Sequence, residues 1–171
     1  LAIAAHAGPN ILPNEPWRTS APNASALKVE TVTLDRPIGG ERTALKLTVR
    51  QAAEPFYRVQ IAQDVPRPIA EHTRLRFSFY ARSRTGNPMR AVIEKAGPPF
   101  TSAIEMRLTL TPEWKLYTGT GVTLAHPAGG LGARFQVGHQ EGEIELTAIR
   151  LEDEGPDPIA LKAREAVDPA A

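Results

Sequence analysis

Eight side chains carry the most chemistry that this sequence offers: Arg58, Gln60, Tyr80, Arg82, Arg90, Glu94, Arg134 and Gln136. Each falls at the polar parity of a segment in which apolar residues alternate, so each points away from a core if the segment is a strand. Guanidinium, amide and carboxylate tips make paired, fork-shaped hydrogen bonds. A phenol offers an apolar ring face with a hydroxyl at its end. Side chains of these types suit a ligand with adjacent hydroxyl groups and C–H faces, as an oligosaccharide has. They suit a solvated sheet surface equally well, because Arg and Gln are common there.

Other chemistries find little support. The histidines are His6, His72, His126 and His139, and no two stand at metal-ligand spacing on one element. There is no G-x-S-x-G nucleophile elbow and no phosphate-binding G-x-x-x-x-G-K-[ST] loop. The run "GGLG" at 129–132 is a lone glycine turn. Glu143 and Glu145 share one strand face, whereas a glycosidase sets two carboxylates across a cleft. An enzyme on the same scaffold, such as a polysaccharide lyase or esterase, would need an acid–base constellation that these residues do not display.

The elements that must position these groups are strands. Period-two alternation runs through 26–34, 43–50, 56–65, 73–83, 89–95, 103–110, 114–122, 133–138 and 143–152. Turn sequences separate them, among them "RPIGG" at 36–40, "GNP" at 86–88, "GPP" at 97–99 and "PAGG" at 127–130. About nine such strands predict an all-β antiparallel sandwich, with one apolar and one polar face per strand. Within the third segment Tyr57 shares its parity with Val59 and Ile61 and is expected inward, leaving Phe56 with Arg58 and Gln60. Within "EWKLYTGTGV", Trp114 is expected at the core or its edge and Tyr117 on the opposite, ligand-facing side.

The 171 residues suit one domain with short tails, long enough to bury a core without cross-links. Cysteine is absent, so there is neither a disulfide framework nor a thiolate metal site. Twenty basic against nineteen acidic residues argue against a nucleic-acid partner. No apolar run reaches the length of a membrane helix. The start, "LAIAAHAGPN", contains Ala5-His6-Ala7 before Gly8. It reads either as the remnant of an export signal or as an apolar leader over 1–9. Residues 8–25 are polar and proline-rich. Beyond 153, "GPDP" leaves the sandwich and "IALKAREAV" reads as a short helix or linker over 154–171, leading to a further domain or ending as a tail.

An ordered set of segments resembles the jelly-roll, galactose-binding-like carbohydrate-binding modules of families four, nine and twenty-two. These are "NILPNEPW" (10–17), "PFYRVQIAQ" (55–63), "LRFSFYARS" (75–83), "LTPEWKLYTGTGV" (110–122) and "ARFQVGHQEGEIELTAIRLED" (133–153). With "VIEKAGPPFTSAIEMRLTL" (92–110), the set is also similar to the N-terminal sandwich of bacterial family-ten xylanases. The resemblance implies a non-catalytic module over 10–153 that binds a β-glycan, xylan first, and targets a covalently attached glycoside hydrolase to plant cell-wall polysaccharide in a secreted, periplasmic or cell-surface setting. Its alternative is a sandwich that only docks on the hydrolase. The ligand-binding residues expected are Phe56, Arg58, Gln60, Tyr80, Arg82, Arg90, Glu94, Tyr117 and Gln136, with no catalytic residue, no cofactor and no nucleic-acid or membrane partner. An excess of arginine among them would favour an acid-decorated glycan. Many such modules hold a structural calcium through acids near each end of the domain. The matching positions here are Pro16-Trp17-Arg18 and Thr147-Ala148-Ile149, which disfavours a calcium.

Overall fold

A computed structural model describes residues 8–159. Ten strands follow in chain order: β1 (Arg18–Ser20), β2 (Leu27–Ile38), β3 (Glu41–Val49), β4 (Gln60–Asp64), β5 (Thr73–Arg82), β6 (Pro88–Lys95), β7 (Ser102–Thr109), β8 (Lys115–Thr123), β9 (Leu131–Gln136) and β10 (Gly142–Pro156). They form two five-stranded sheets, β1-β4-β9-β6-β7 and β2-β3-β10-β5-β8, in which every pairing is antiparallel. The expected β-sandwich is therefore the fold. Nine of the ten strands coincide with the alternating segments. The tenth, β1, comes from the proline-rich lead-in and has three exposed residues, too few to alternate. The sandwich does not end at 153 as expected, because β10 continues to Pro156 and pairs it with Thr73. The rest of the helix or linker expected in 154–171 lies almost wholly outside the described residues, as does the leader before Gly8.

Alternation is strictest in β5, where Leu75, Phe77, Phe79 and Ala81 are fully buried between less buried polar neighbours. Their rings meet those of the other sheet: Phe135 of β9 stands 5.5 Å from Phe77 and 5.0 Å edge-on to Phe79. Trp17 closes the cluster 5.4 Å from Phe135. Such aromatic contacts add about 0.5–1.5 kcal/mol each to the burial of the rings. The lead-in is clamped to β10, where Leu151 N donates to Asn10 Oδ1 and Ile11 N donates to Leu151 O.

The faces of β8 are opposite to expectation. Tyr117 turns inward and stacks on Phe79 at 5.7 Å, so it does not face a ligand. Trp114 lies on the outer side of its sheet with the Arg82 guanidinium 4.6 Å over its ring. The reason is spatial. The inner positions that follow Tyr117 are Gly119 and Gly121, and here the edge strands β7 and β8 close on one another. A Cβ at Gly119 would come within 2.8 Å of Ile104 Cγ2, and one at Gly121 would overlap the Ala103 carbonyl oxygen. Because Trp114 covers a surface cation instead of filling the core, Trp114→Ala should remain folded. Its expected loss is about 1–2 kcal/mol, from the cation–π contact and some buried area. Urea denaturation checks this, and a variant that is unfolded without urea would contradict it.

Candidate functional site

The outer face of the β1-β4-β9-β6-β7 sheet gathers most of the expected site. Register places Ser20, Gln60, Gln136, Arg90 and Arg107 in one row across all five strands. A second row holds Arg18, Ala62, Arg134, Val92 and Glu105, and a third aligns Asp64, Gly132 and Glu94. Above these rows lies a groove of about 570 Å³, walled by Phe56, Tyr57 and Phe100. Its polar floor is Gln60, Arg90, Glu94, Arg134 and Gln136, with Arg107 at the side.

The floor is a continuous hydrogen-bonded layer. Gln136 Nε2 donates to Gln60 Oε1 at 3.1 Å, and Arg90 Nη1 donates to Gln136 Oε1 at 2.8 Å. Arg90 Nη2 reaches Glu105 Oε2 at 3.1 Å, and Arg107 Nε donates to Glu105 Oε1 at 2.6 Å. Arg134 folds back over the side-chain-free Gly132, giving its Nη2 to Asp64 Oδ1 at 2.9 Å and its Nη1 to the carbonyls of Gln63 and Ala133. Arg18 holds the other Asp64 oxygen at 2.9 Å. This network fixes the planar groups in place before any ligand arrives, which lowers the entropic cost of binding.

Two carboxyls of this face titrate away from their ordinary range, in opposite directions. Hydrogen bonds from Arg90 and then Arg107 hold Glu105 down at about 2. Glu94 is pushed up: its burial outweighs the attraction of Arg90 and Arg134. At the rim, His139 stacks on Phe56 with centroids 4.1 Å apart, and burial and Arg107 lower its pKa.

The aromatic walls differ from the sequence reading. Phe56–Arg58 is a 3-10 turn, not the start of a strand, so parity does not carry across it. Tyr57, expected inward, is 54 % exposed, and Phe56 leans on His139 beside it. Arg58 is exposed on the same turn. Phe100, which the sequence reading passed over, is 50 % exposed in the β6–β7 turn. Its φ of 55° is unusual for so bulky a residue. An aromatic placed between "GPP" and the next strand, with no apolar partner at strand spacing, was the available sign.

Three expected residues belong to the other sheet. Tyr117 is core, as described above. Tyr80 lies on the outer face of the second sheet, where Gly39 of the β2–β3 turn closes against its ring. Arg82 binds Glu145 Oε2 through Nε at 3.1 Å and Nη2 at 2.9 Å while covering Trp114. The first sheet's groove does not include them. At the positions matching the calcium acids, Trp17 and 147–149 border a separate cavity with Glu15, Glu30 and Glu41 on its wall. Among the described residues no three His, Asp or Glu converge on one point.

No protein-family model and no curated protein sequence matches the chain. Solved structures do. A CBM4 module superposes with a TM-score of 0.64 at 17 % identity over 80 % of this chain and 86 % of that one. The CBM22-1 xylan-binding domain of Paenibacillus barcinonensis Xyn10C gives 0.62 at 12 % identity over 90 % of this chain and all of that one. The N-terminal cellulose-binding domain of Cellulomonas fimi β-1,4-glucanase C gives 0.55 at 20 % identity over 77 % and 91 %. At such identities the likeness is one of fold.

Proposed function

We propose that the groove of the first sheet binds a β-glycan chain, xylan first, and that the domain over 10–156 is a non-catalytic module. It would bring an attached glycoside hydrolase to plant cell-wall polysaccharide outside the cell, with the residues after β10 as the linker. The observation that carries this reading is the pairing of two half-exposed aromatic rings, Tyr57 and Phe100, with a floor of planar hydrogen-bonding side chains already locked to one another. Exposed rings give C–H faces something to pack on, and amide and guanidinium tips take hydroxyl pairs. The floor guanidiniums are engaged by Glu105, Asp64 and Gln136, which favours a neutral chain over an acid-decorated one. The fold it shares with a xylan-binding and a cellulose-binding domain supports the same class of ligand.

Affinity electrophoresis in soluble xylan and in hydroxyethyl cellulose tests the reading. Retardation is expected with at least one of them, at micromolar to millimolar Kd. Tyr57→Ala and Phe100→Ala should each weaken it about five- to tenfold, as befits the loss of roughly 1 kcal/mol of stacking. Migration unchanged by every glycan would reject it. One observation favours the alternative of a docking sandwich: Leu116, Val122 and Leu124 lie exposed along and just beyond β8. If that face is the functional one, no glycan should retard the wild-type domain and Leu116→Ser should reduce the stability of the fused enzyme.

A further inference from the structure

Glu94 differs from the other charged groups of the groove. Its side chain is only 8 % exposed and lines the groove, yet it takes part in no hydrogen bond among the described residues. Its one close cation is Arg90 Nη1 at 3.9 Å, beyond hydrogen-bond reach. The terminal nitrogens of Arg90 are occupied by Gln136 and Glu105 while its Nε has no hydrogen-bond partner, and Arg134 across the floor on β9 is held by Asp64 and two carbonyls. The Glu94 oxygens are open to the groove: the sealed polar atoms without a hydrogen-bond partner among the described residues are Arg90 Nε and Glu154 Oε1, not those of Glu94. Here the unfilled donors must come from the groove side.

We infer that Glu94 is the acceptor for a vicinal pair of uncharged sugar hydroxyls, and that capture of a glycan at this subsite is linked to proton release in acid. The inference rests on the sugar-binding reading and deepens it. A metal cation or an amine is the poorer occupant, because the guanidiniums of Arg90 and Arg134 repel a second positive charge. A uronate is excluded at the subsite because it would set one carboxylate against another. The charged groups around Glu94 are Arg90 on its own strand, Arg134 on β9 and Glu105 on β7. In the next strand, β4, Asp64 is held by Arg134 and Arg18. Burial favours the neutral acid in the free protein, while hydroxyl donors favour the ionised form. The bound group therefore has the lower pKa. Affinity is full above the raised pKa of the free protein and falls as pH drops through it.

The test is isothermal titration of the intact protein with xylohexaose and cellohexaose at about pH 7 and about pH 4, in buffers of different ionisation heat. For wild type, binding should be about tenfold weaker at the lower pH, with net proton release. Glu94→Gln should bind more weakly than wild type at neutral pH and lose the pH dependence. It should also melt at a higher temperature than wild type at neutral pH, since a carboxyl raised by folding withdraws stability as pH rises through its folded pKa. Binding by wild type with no proton release and an unchanged profile in the variant would overturn the role of Glu94 and leave sugar binding standing. Failure of wild type to bind either oligosaccharide, or to be retained by the polymeric glycans at either pH, would overturn both.

Discussion

Phe135→Ala is expected to lower the unfolding free energy by about 3–5 kcal/mol, the range for removing a fully buried phenylalanine without collapse of the site. The ring is wholly buried and lies at the junction of both sheets. Trp17 meets it at 5.4 Å, Phe77 at 5.5 Å and Phe79 at 5.0 Å. These three come from the lead-in and from β5 of the opposite sheet, so no single neighbour can move to fill the space. The groove would feel the loss too. Arg134 and Gln136 flank Phe135 on the same strand and form the middle of the groove floor, so the inward ring anchors the outward pair. Urea denaturation should show a lower midpoint at unchanged slope, which marks a loss of stability and not of cooperativity. Phe135→Leu should cost well under half as much. Equal costs for the two would mean that the whole loss lies in the ring contacts and that the apolar volume restored by Leu contributes nothing.

The same alternation that makes Phe135 an anchor made most of the fold legible in the sequence. Each strand with one wholly apolar face, such as β5, was readable because a two-residue period is unambiguous when the inner positions are large. It failed where that premise failed. In β8 the inner positions after Tyr117 are Gly119 and Gly121, while Trp114, Leu116 and Val122 hold the outer ones. Counting apolar residues therefore chose the wrong face, and Trp114 and Tyr117 exchanged roles. Strand β1 has no inner face to read, and the 3-10 turn at Phe56–Arg58 reset the parity of Tyr57.

For the groove, local pattern could show that Gln60, Arg90, Glu94, Gln136, Tyr80 and Arg82 all point away from the core. It could not show to which sheet each strand belongs, because pairings such as Gln60 with Gln136 join residues far apart in the chain. That long-range register divides one set of outward polar residues into a groove and a separate ion-paired surface. It also creates what no local signal contained: a carboxyl at Glu94 that is outward from its sheet and buried nonetheless.

Gly121→Ala is the second large effect to expect, and it bears on why the edge strands approach so closely. The added Cβ would overlap the Ala103 carbonyl oxygen and stand within 2.9 Å of its carbon, so backbone must move. Overpacking of this kind costs about 1–3 kcal/mol and more when the obstacle is main chain; the upper end is expected here. Gly119→Ala is the informative partner. Its Cβ would meet Ile104 Cγ2 at 2.8 Å and Met106 Sδ at 3.2 Å, both side-chain atoms. Methionine adapts readily, so this variant should lose clearly less stability than Gly121→Ala. The displaced strand in either case is β7, which carries Glu105 and Arg107 on its groove side. Glu105 is the carboxylate that holds Arg90 in the floor, so outward movement of β7 should weaken glycan retention along with stability. Urea midpoints and affinity electrophoresis on the two variants check both halves. Equal destabilisation by Gly119→Ala and Gly121→Ala would show that the β7–β8 edge yields as a unit and that the main-chain approach at Ala103 does not set the spacing.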